Sequence, residues 1–96
     1  MILSFGDRAT EDFYHGRITS RVRRFPSEVQ RIALRKLDMI NAAYRLEDLR
    51  EPPGNRLKVL KGDLAGYYSI RVNDQWRVVF RWENNNAHEV WLTDYH

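Results

Sequence analysis

The chain has 96 residues, enough for one modest core and too few for a second domain, since a chain of this size buries somewhat more than about 60% of its unfolded surface. It has no cysteine, which excludes disulfides, thiolate nucleophiles and cysteine-based zinc sites. No stretch approaches the ~20 apolar residues of a membrane span and residues 1–5 lack a signal-peptide pattern, so a cytoplasmic protein with no membrane partner is expected. Net charge is +3, and 13 of the 16 basic residues are arginine, the side chain that forks onto phosphate or carboxylate. A polyanionic partner is one reading of that excess. The other is an ordinary mixed-charge surface, because the 13 acids are interspersed.

In chain order, Ile2-Leu3-Ser4-Phe5 is a short apolar run that opens as a strand. Asp7 then caps a brief helix through Phe13 and Tyr14, which Gly16 stops, with His15 at its end. Residues 17–24 hold Arg17, Arg21, Arg23 and Arg24 and no acid, the most basic stretch of the chain. Ser27-Glu28-Val29-Gln30 has the form of a capping box. Val29, Ile32, Ala33, Leu37, Ile40 and Tyr44 recur after it at three- and four-residue steps, which predicts the main helix. Leu46 and Leu49 are expected to tuck under a sheet before Pro52-Pro53-Gly54 forbids further helix.

From Arg56 onward the apolar period changes to two. Residues 57–61, 67–72, 76–82 and 87–93 are predicted as four strands, with turns at Gly62-Asp63, Asn73-Asp74 and Asn84-Asn85-Asn86. Such short connections make an antiparallel meander. A three-residue middle turn sets Ile70 against Val78, Tyr68 against Phe80 and Arg71 against Arg77, whereas a two-residue turn would mix apolar and charged faces. With that register Tyr68, Ile70, Val72, Trp76, Val78, Phe80 and Trp82 face the long helix. Ser69, Arg71, Arg77, Val79 and Arg81 lie opposite, and two arginines directly across from each other repel unless an anion or neighbouring acid intervenes.

No glycine-rich phosphate loop, metal-ligand spacing or Ser-His-Asp order is present, and no metal or cofactor is expected. What remains is a basic strand with Lys58 and Lys61, the mid-strand Arg77, and the terminal Asp94-Tyr95-His96. Cleavage of RNA through its own 2′-hydroxyl needs a base, an acid for the leaving oxygen, and cations for the extra phosphate charge. His96 has the side chain suited to proton transfer near pH 7, and Lys58, Lys61 and Arg77 supply charge. Tyr95 offers a stacking surface, and Asp94 can orient an imidazole or hydroxyl. The set is compatible with ribonuclease chemistry without demanding it, and the residues by themselves favour a nucleic-acid-binding or interaction module.

Asp48-Leu49-Arg50, the run from Pro52 to Leu57, Leu60-Lys61-Gly62, the run from Gly66 to Arg77, and the closing Asp94-Tyr95-His96 together resemble the HigB/GraT group of bacterial type II toxins in the RelE/ParE superfamily. The resemblance covers essentially the whole chain. It implies an α+β, small microbial-ribonuclease-like (RelE-type) fold, with two N-terminal helices packed on a four- to five-stranded, mainly antiparallel sheet.

It also implies a ribosome-dependent, metal-independent endoribonuclease that cuts messenger RNA in the A site and stops translation and growth. The implied partner is a helix-turn-helix antitoxin of the HigA/GraA kind, with operator DNA reached only through the toxin–antitoxin complex. The family's functional basic positions fall on Lys58, Lys61 and Arg77, and its C-terminal set on Asp94, Tyr95 and His96. Some members carry histidine where this chain has Lys58, which leaves the acid and base roles to His96 and the lysines. Arg56 is a further candidate for phosphate contact, and Arg17, Arg21, Arg23, Arg24 and Arg71 for ribosomal RNA, although an acidic antitoxin would suit the 17–24 segment as well. Within the same superfamily the alternatives are a ParE-like gyrase inhibitor and a non-catalytic partner that acts with the antitoxin in operator repression.

Overall fold

The computed structural model describes residues 1–94 and places two helices against one face of a four-stranded antiparallel sheet. The helices are α1 (Arg8–Tyr14) and α2 (Ser27–Ala42). The strands are β1 (Lys58–Val59), β2 (Tyr67–Arg71), β3 (Trp76–Glu83) and β4 (Asn86–Asp94), each paired with the next in sequence. Among the described residues no helix is long and apolar enough to cross a membrane.

Asp7 caps α1 as expected, its carboxylate accepting from the Thr10 amide at 2.8 Å, and Gly16 leaves the helix with φ +74°. The start of α2 differs from the expected capping box. Pro26 takes the position before the helix, so Ser27 is already helical and makes no cap, while Gln30 Nε2 reaches back to the Phe25 carbonyl at 2.8 Å. Proline has no amide proton, so the reciprocal bond of the box has no donor to receive.

Tyr44 also departs from expectation: α2 ends at Ala42 and Tyr44 is 84% exposed. The cause is Asp48, whose carboxylate accepts from the Tyr44 and Arg45 amides at 2.9 and 3.0 Å and pulls the backbone out of the helix. Those two bonds hold the Asp48 carboxyl below the ordinary carboxylate range.

The sheet keeps the register that the apolar pattern requires. Ile70 lies opposite Val78, Tyr68 opposite Phe80 and Arg71 opposite Arg77, and the Asn73 side chain closes the turn by accepting from the Gln75 and Trp76 amides. Between β3 and β4 the loop is only two residues, Asn84 and Asn85, both left-handed, the backbone that a two-residue hairpin demands. β1 is shorter than expected because Arg56 (φ 45°) and Gly62 (φ +65°) bend the chain on either side of it.

The Ile2–Phe5 run adds a parallel fringe to β4 through bridges at Ile2–Ala87 and Phe5–Val90. It is no continuous strand, because β4 bulges between them. Glu89 is left-handed there (φ 53°), and its amide turns to Ser4 Oγ at 2.8 Å. The core lies between α2 and the sheet, where Val29, Ala33, Leu37 and Ile40 meet Ile70, Val78, Phe80 and Val90, all 0–1% exposed.

Candidate active site

Lys58, Arg71 and Arg77 lie on the face of the sheet away from the helices. Strand pairing lays its side chains in rows: Lys58, Ser69, Val79 and Trp91 in one, Arg71, Arg77 and Thr93 in the next. The centre of this face is not solvated surface. Ser69 and Val79 are buried, and Arg77 is 7% exposed.

A guanidinium in such a place needs hydrogen-bond acceptors. Arg77 Nε donates to Ser69 Oγ at 2.8 Å, and its Nη2 donates to the Arg56 carbonyl, also at 2.8 Å. The two bonds lie along one edge of the planar group and fix its orientation. Lys58 is paired with Ser69 in the strand register, so it lies on the same face of the sheet as the hydroxyl that Arg77 contacts. Lys61 lies beyond the end of β1, where it leads into the Gly62–Leu64 turn, exposed like Lys58.

Asp94 closes β4 opposite Trp76, one position past the residue paired with Arg77, and accepts from Gln75 Nε2 at 3.0 Å. It also borders a cleft of about 350 Å³ lined by Asp7, Arg24, Phe25, Trp76 and Trp91. Tyr95 and His96 lie outside the described residues. Lys58 and Arg77 therefore share the face of the sheet away from the helices, whereas Asp94, paired with Trp76 on the opposite edge strand, alternates to the helix side, and Arg56 enters through its backbone carbonyl.

Four of the other predicted arginines, Arg17, Arg21, Arg24 and Arg71, have acid partners. Arg71 pairs with Asp74 in the adjacent turn, which relieves its repulsion with Arg77 without an outside anion. Arg81 pairs with Glu83 and with Glu89, the latter at 3.0 Å. The bond from Arg81, and then that from the Tyr67 hydroxyl, holds the Glu89 carboxyl below the usual range.

In the 17–24 segment, the most basic stretch of the chain, most of the arginines meet acids from the preceding turn and helix. After Gly16 the chain turns back along α1, and Asp12 receives Arg17 at 3.3 Å and Arg21 at 3.2 Å, with Thr19 Oγ1 also at 3.2 Å. Asp7 receives Arg24 at 3.6 Å. Among the described residues Arg23 alone of the four has no acid partner.

Sequence reasoning passed over Ser69, Asn55 and Lys36. Lys36 carried a signal: it stands seven residues after Val29 and three after Ala33, in the apolar stripe, and is buried with it. Among the described residues no group of three or more His, Asp or Glu is placed to hold a metal ion.

The fold is shared with solved toxins. One chain of the YoeB-YefM complex from Staphylococcus aureus superposes with a TM-score of 0.62 at 19% identity, over 100% of this chain and 98% of that one. The YoeB/ParE toxin from Agrobacterium tumefaciens superposes with a TM-score of 0.53 at 17% identity, over 100% and 99%. Architecture and basic sheet face thus define a small α+β protein with the fold of the YoeB and ParE toxins.

The family described as the RelE-like toxin of type II toxin-antitoxin system HigB matches residues 3–96. Toxin HigB-1 of Vibrio cholerae is 42% identical over 92 residues, which span 96% of this chain and 95% of that protein. Endoribonuclease HigB of Proteus vulgaris is 34% identical over 96 residues, the full length of both. The chain belongs to the HigB-like family of type II toxins, and its partner class is accordingly an antitoxin.

Proposed function

We propose that this toxin is an endoribonuclease that cuts messenger RNA in the ribosomal A site and so stops translation and growth. Family membership and a relative named as an endoribonuclease support the activity. The observation that carries the site is Arg77, a buried guanidinium already oriented by Ser69 and the Arg56 carbonyl, with Lys58 paired with that serine on the neighbouring strand and Asp94 at the end of β4.

In the proposed step a base takes the 2′-hydroxyl proton and the oxygen attacks the adjacent phosphorus. The 5′-oxygen leaves with a proton from an acid, giving a 2′,3′-cyclic phosphate on one side and a 5′-hydroxyl on the other. His96 serves as acid or base, Lys58 and Lys61 surround the scissile phosphate, and Arg77 meets the charge that develops on its oxygens. Tyr95 stacks on a base and Asp94 orients a neighbouring group. A cation held in place beforehand needs no reorganisation as charge develops, and loss of one such donor typically costs about 10²–10³ in rate. The ribosome supplies the remaining positioning by presenting the codon in line.

The antitoxin in this reading is a helix-turn-helix protein of the HigA/GraA kind, and operator DNA is contacted only through the complex. Primer extension on a defined messenger in programmed ribosomes tests the proposal. Wild type should cut in the A site, and Arg77→Ala should lower turnover about 10²-fold or more while ribosome docking changes little. Absence of cutting by wild type, together with inhibition of gyrase, would reassign the chain to the gyrase-poisoning class.

A further inference from the structure

Lys36 is a cation in the wrong company. It lies in the apolar stripe of α2, 9% exposed, and among the described residues it is paired with no carboxylate. Its Nζ donates instead to Asn55 Oδ1 in a short hydrogen bond. Burial pushes the amine below the ordinary lysine value, and the charges of Arg35 and Arg71 push it the same way. The bond to Asn55 must offset that penalty, so lysine and amide stand or fall together.

Asn55 is itself fully buried, at 0% exposure. Its Nδ2 donates to the Leu49 carbonyl at 3.1 Å and lies 3.9 Å from Met39 Sδ, so the amide is tied on one side to α2 and on the other to the Leu46–Arg50 turn. The next residue, Arg56, is bent into the left-handed region (φ 45°, ψ 57°). That bend presents the Arg56 carbonyl, which Arg77 Nη2 reaches at 2.8 Å.

We propose that Asn55, oriented by Lys36, is a positioning residue for Arg77: it fixes the Arg56 carbonyl that, with Ser69, sets the plane of the guanidinium. The inference rests on the reading of Arg77 as the cation that meets the phosphate charge. Moving the Arg56 carbonyl moves the guanidinium that donates to it, and a displacement of about 1 Å at a reacting centre can cost about 10²-fold in rate. The buried lysine gives the loop an anchor that water cannot replace, because a buried amide oxygen left without its donor is destabilised in any other arrangement.

The test is a double-mutant cycle on the full chain: wild type, Asn55→Ala, Arg77→Lys and the double variant. Single-turnover cutting in programmed ribosomes, ribosome affinity and thermal unfolding are measured on each. Lysine at 77 keeps a charge and a measurable rate but has no fork to bridge Ser69 and the Arg56 carbonyl. Asn55→Ala should lower the cutting rate about 10–100-fold with ribosome affinity within about twofold of wild type, and should add little to the loss from Arg77→Lys. Lys36→Met, which preserves volume, should give the same non-additive pattern and carries the cycle if Asn55→Ala does not fold.

Losses that multiply in the double variant would make Asn55 a core residue with no tie to Arg77 and overturn the proposal. Arg77→Lys that cuts like wild type would overturn it too, by removing Arg77 from the chemistry. Wild type that does not cut at all would sink the ribonuclease reading itself, an outcome distinct from additivity between active variants.

Discussion

Arg77 and Asp12 show how differently a charged residue behaves when its partners are built in. Arg77 donates to a hydroxyl and to a carbonyl, two bonds that orient the guanidinium from within the fold. Asp12 is the opposite case, since its carboxylate draws in two arginines and a threonine hydroxyl. Burial raises the Asp12 carboxyl, but the bonds from Arg17 and Thr19 and the charge of Arg21 outweigh it and leave the group below its ordinary value. A carboxyl whose folded-state value is depressed stabilises the protein above the unfolded value near ~3.9, and that contribution disappears as pH falls through the folded value. Asp12→Asn should therefore unfold at a lower temperature than wild type at pH 7, with the gap closing below about pH 4. Thermal melts of both proteins from neutral to acid pH check this, and a gap independent of pH would show that the carboxylate charge contributes nothing.

The elements divide sharply by how much of them the residues announced. Strand register was legible because only one pairing keeps Ile70, Val78, Tyr68 and Phe80 on a common face, and a one-residue slip would put Arg77 in the core. The middle of α2 was legible for the same reason. Its ends were not: Pro26 displaced the cap at one end and the distant Asp48 unwound the other, and neither effect is periodic. The acids that compensate residues 17–24 stayed hidden because Asp7 and Asp12 belong to a different element, and only the reversal at Gly16 brings them back. Asn55 had no pattern to mark it, being one polar residue in a proline-rich turn.

At the edge of β4 one element depends on a missing side chain. A Cβ on Gly6 would stand 2.7 Å from Trp91 Cε3 and 2.9 Å from the Glu89 carbonyl oxygen. The indole can shift, but the carbonyl belongs to a bulge fixed by Ser4, so the strain has no easy outlet. Gly6→Ala should destabilise by about 1–3 kcal/mol, as overpacking typically does. In a denaturant titration this would appear as a lower midpoint with an unchanged slope. An unaltered midpoint would show that the N-terminal fringe moves aside at little cost.

For the molecule as a whole, formal charge overstates what RNA would meet. Arg17, Arg21 and Arg24 are already shared with α1 carboxylates, whereas Arg23 is not. Each phosphate newly neutralised releases counterions and steepens the fall of log affinity with log salt by about 0.7–0.9. Arg23→Ala should reduce the salt slope of ribosome binding by roughly that amount, and Arg17→Ala by clearly less, since its removal also frees part of Asp12. Binding measured at several salt concentrations decides the matter; a flat curve for wild type would remove the segment from RNA docking and leave it to the antitoxin.

The parallel fringe beside β4 also sets a timetable. Ser4 and Glu89, which it joins, are 85 residues apart. During synthesis, at about 5–20 residues per second, Ser4 waits on the order of 4–17 s before its partner exists. Helices need only about a microsecond to form, so α1 and α2 can be in place long before translation delivers the strand that completes the sheet. The Asp94 end of the candidate site is therefore synthesised after every other described part of it.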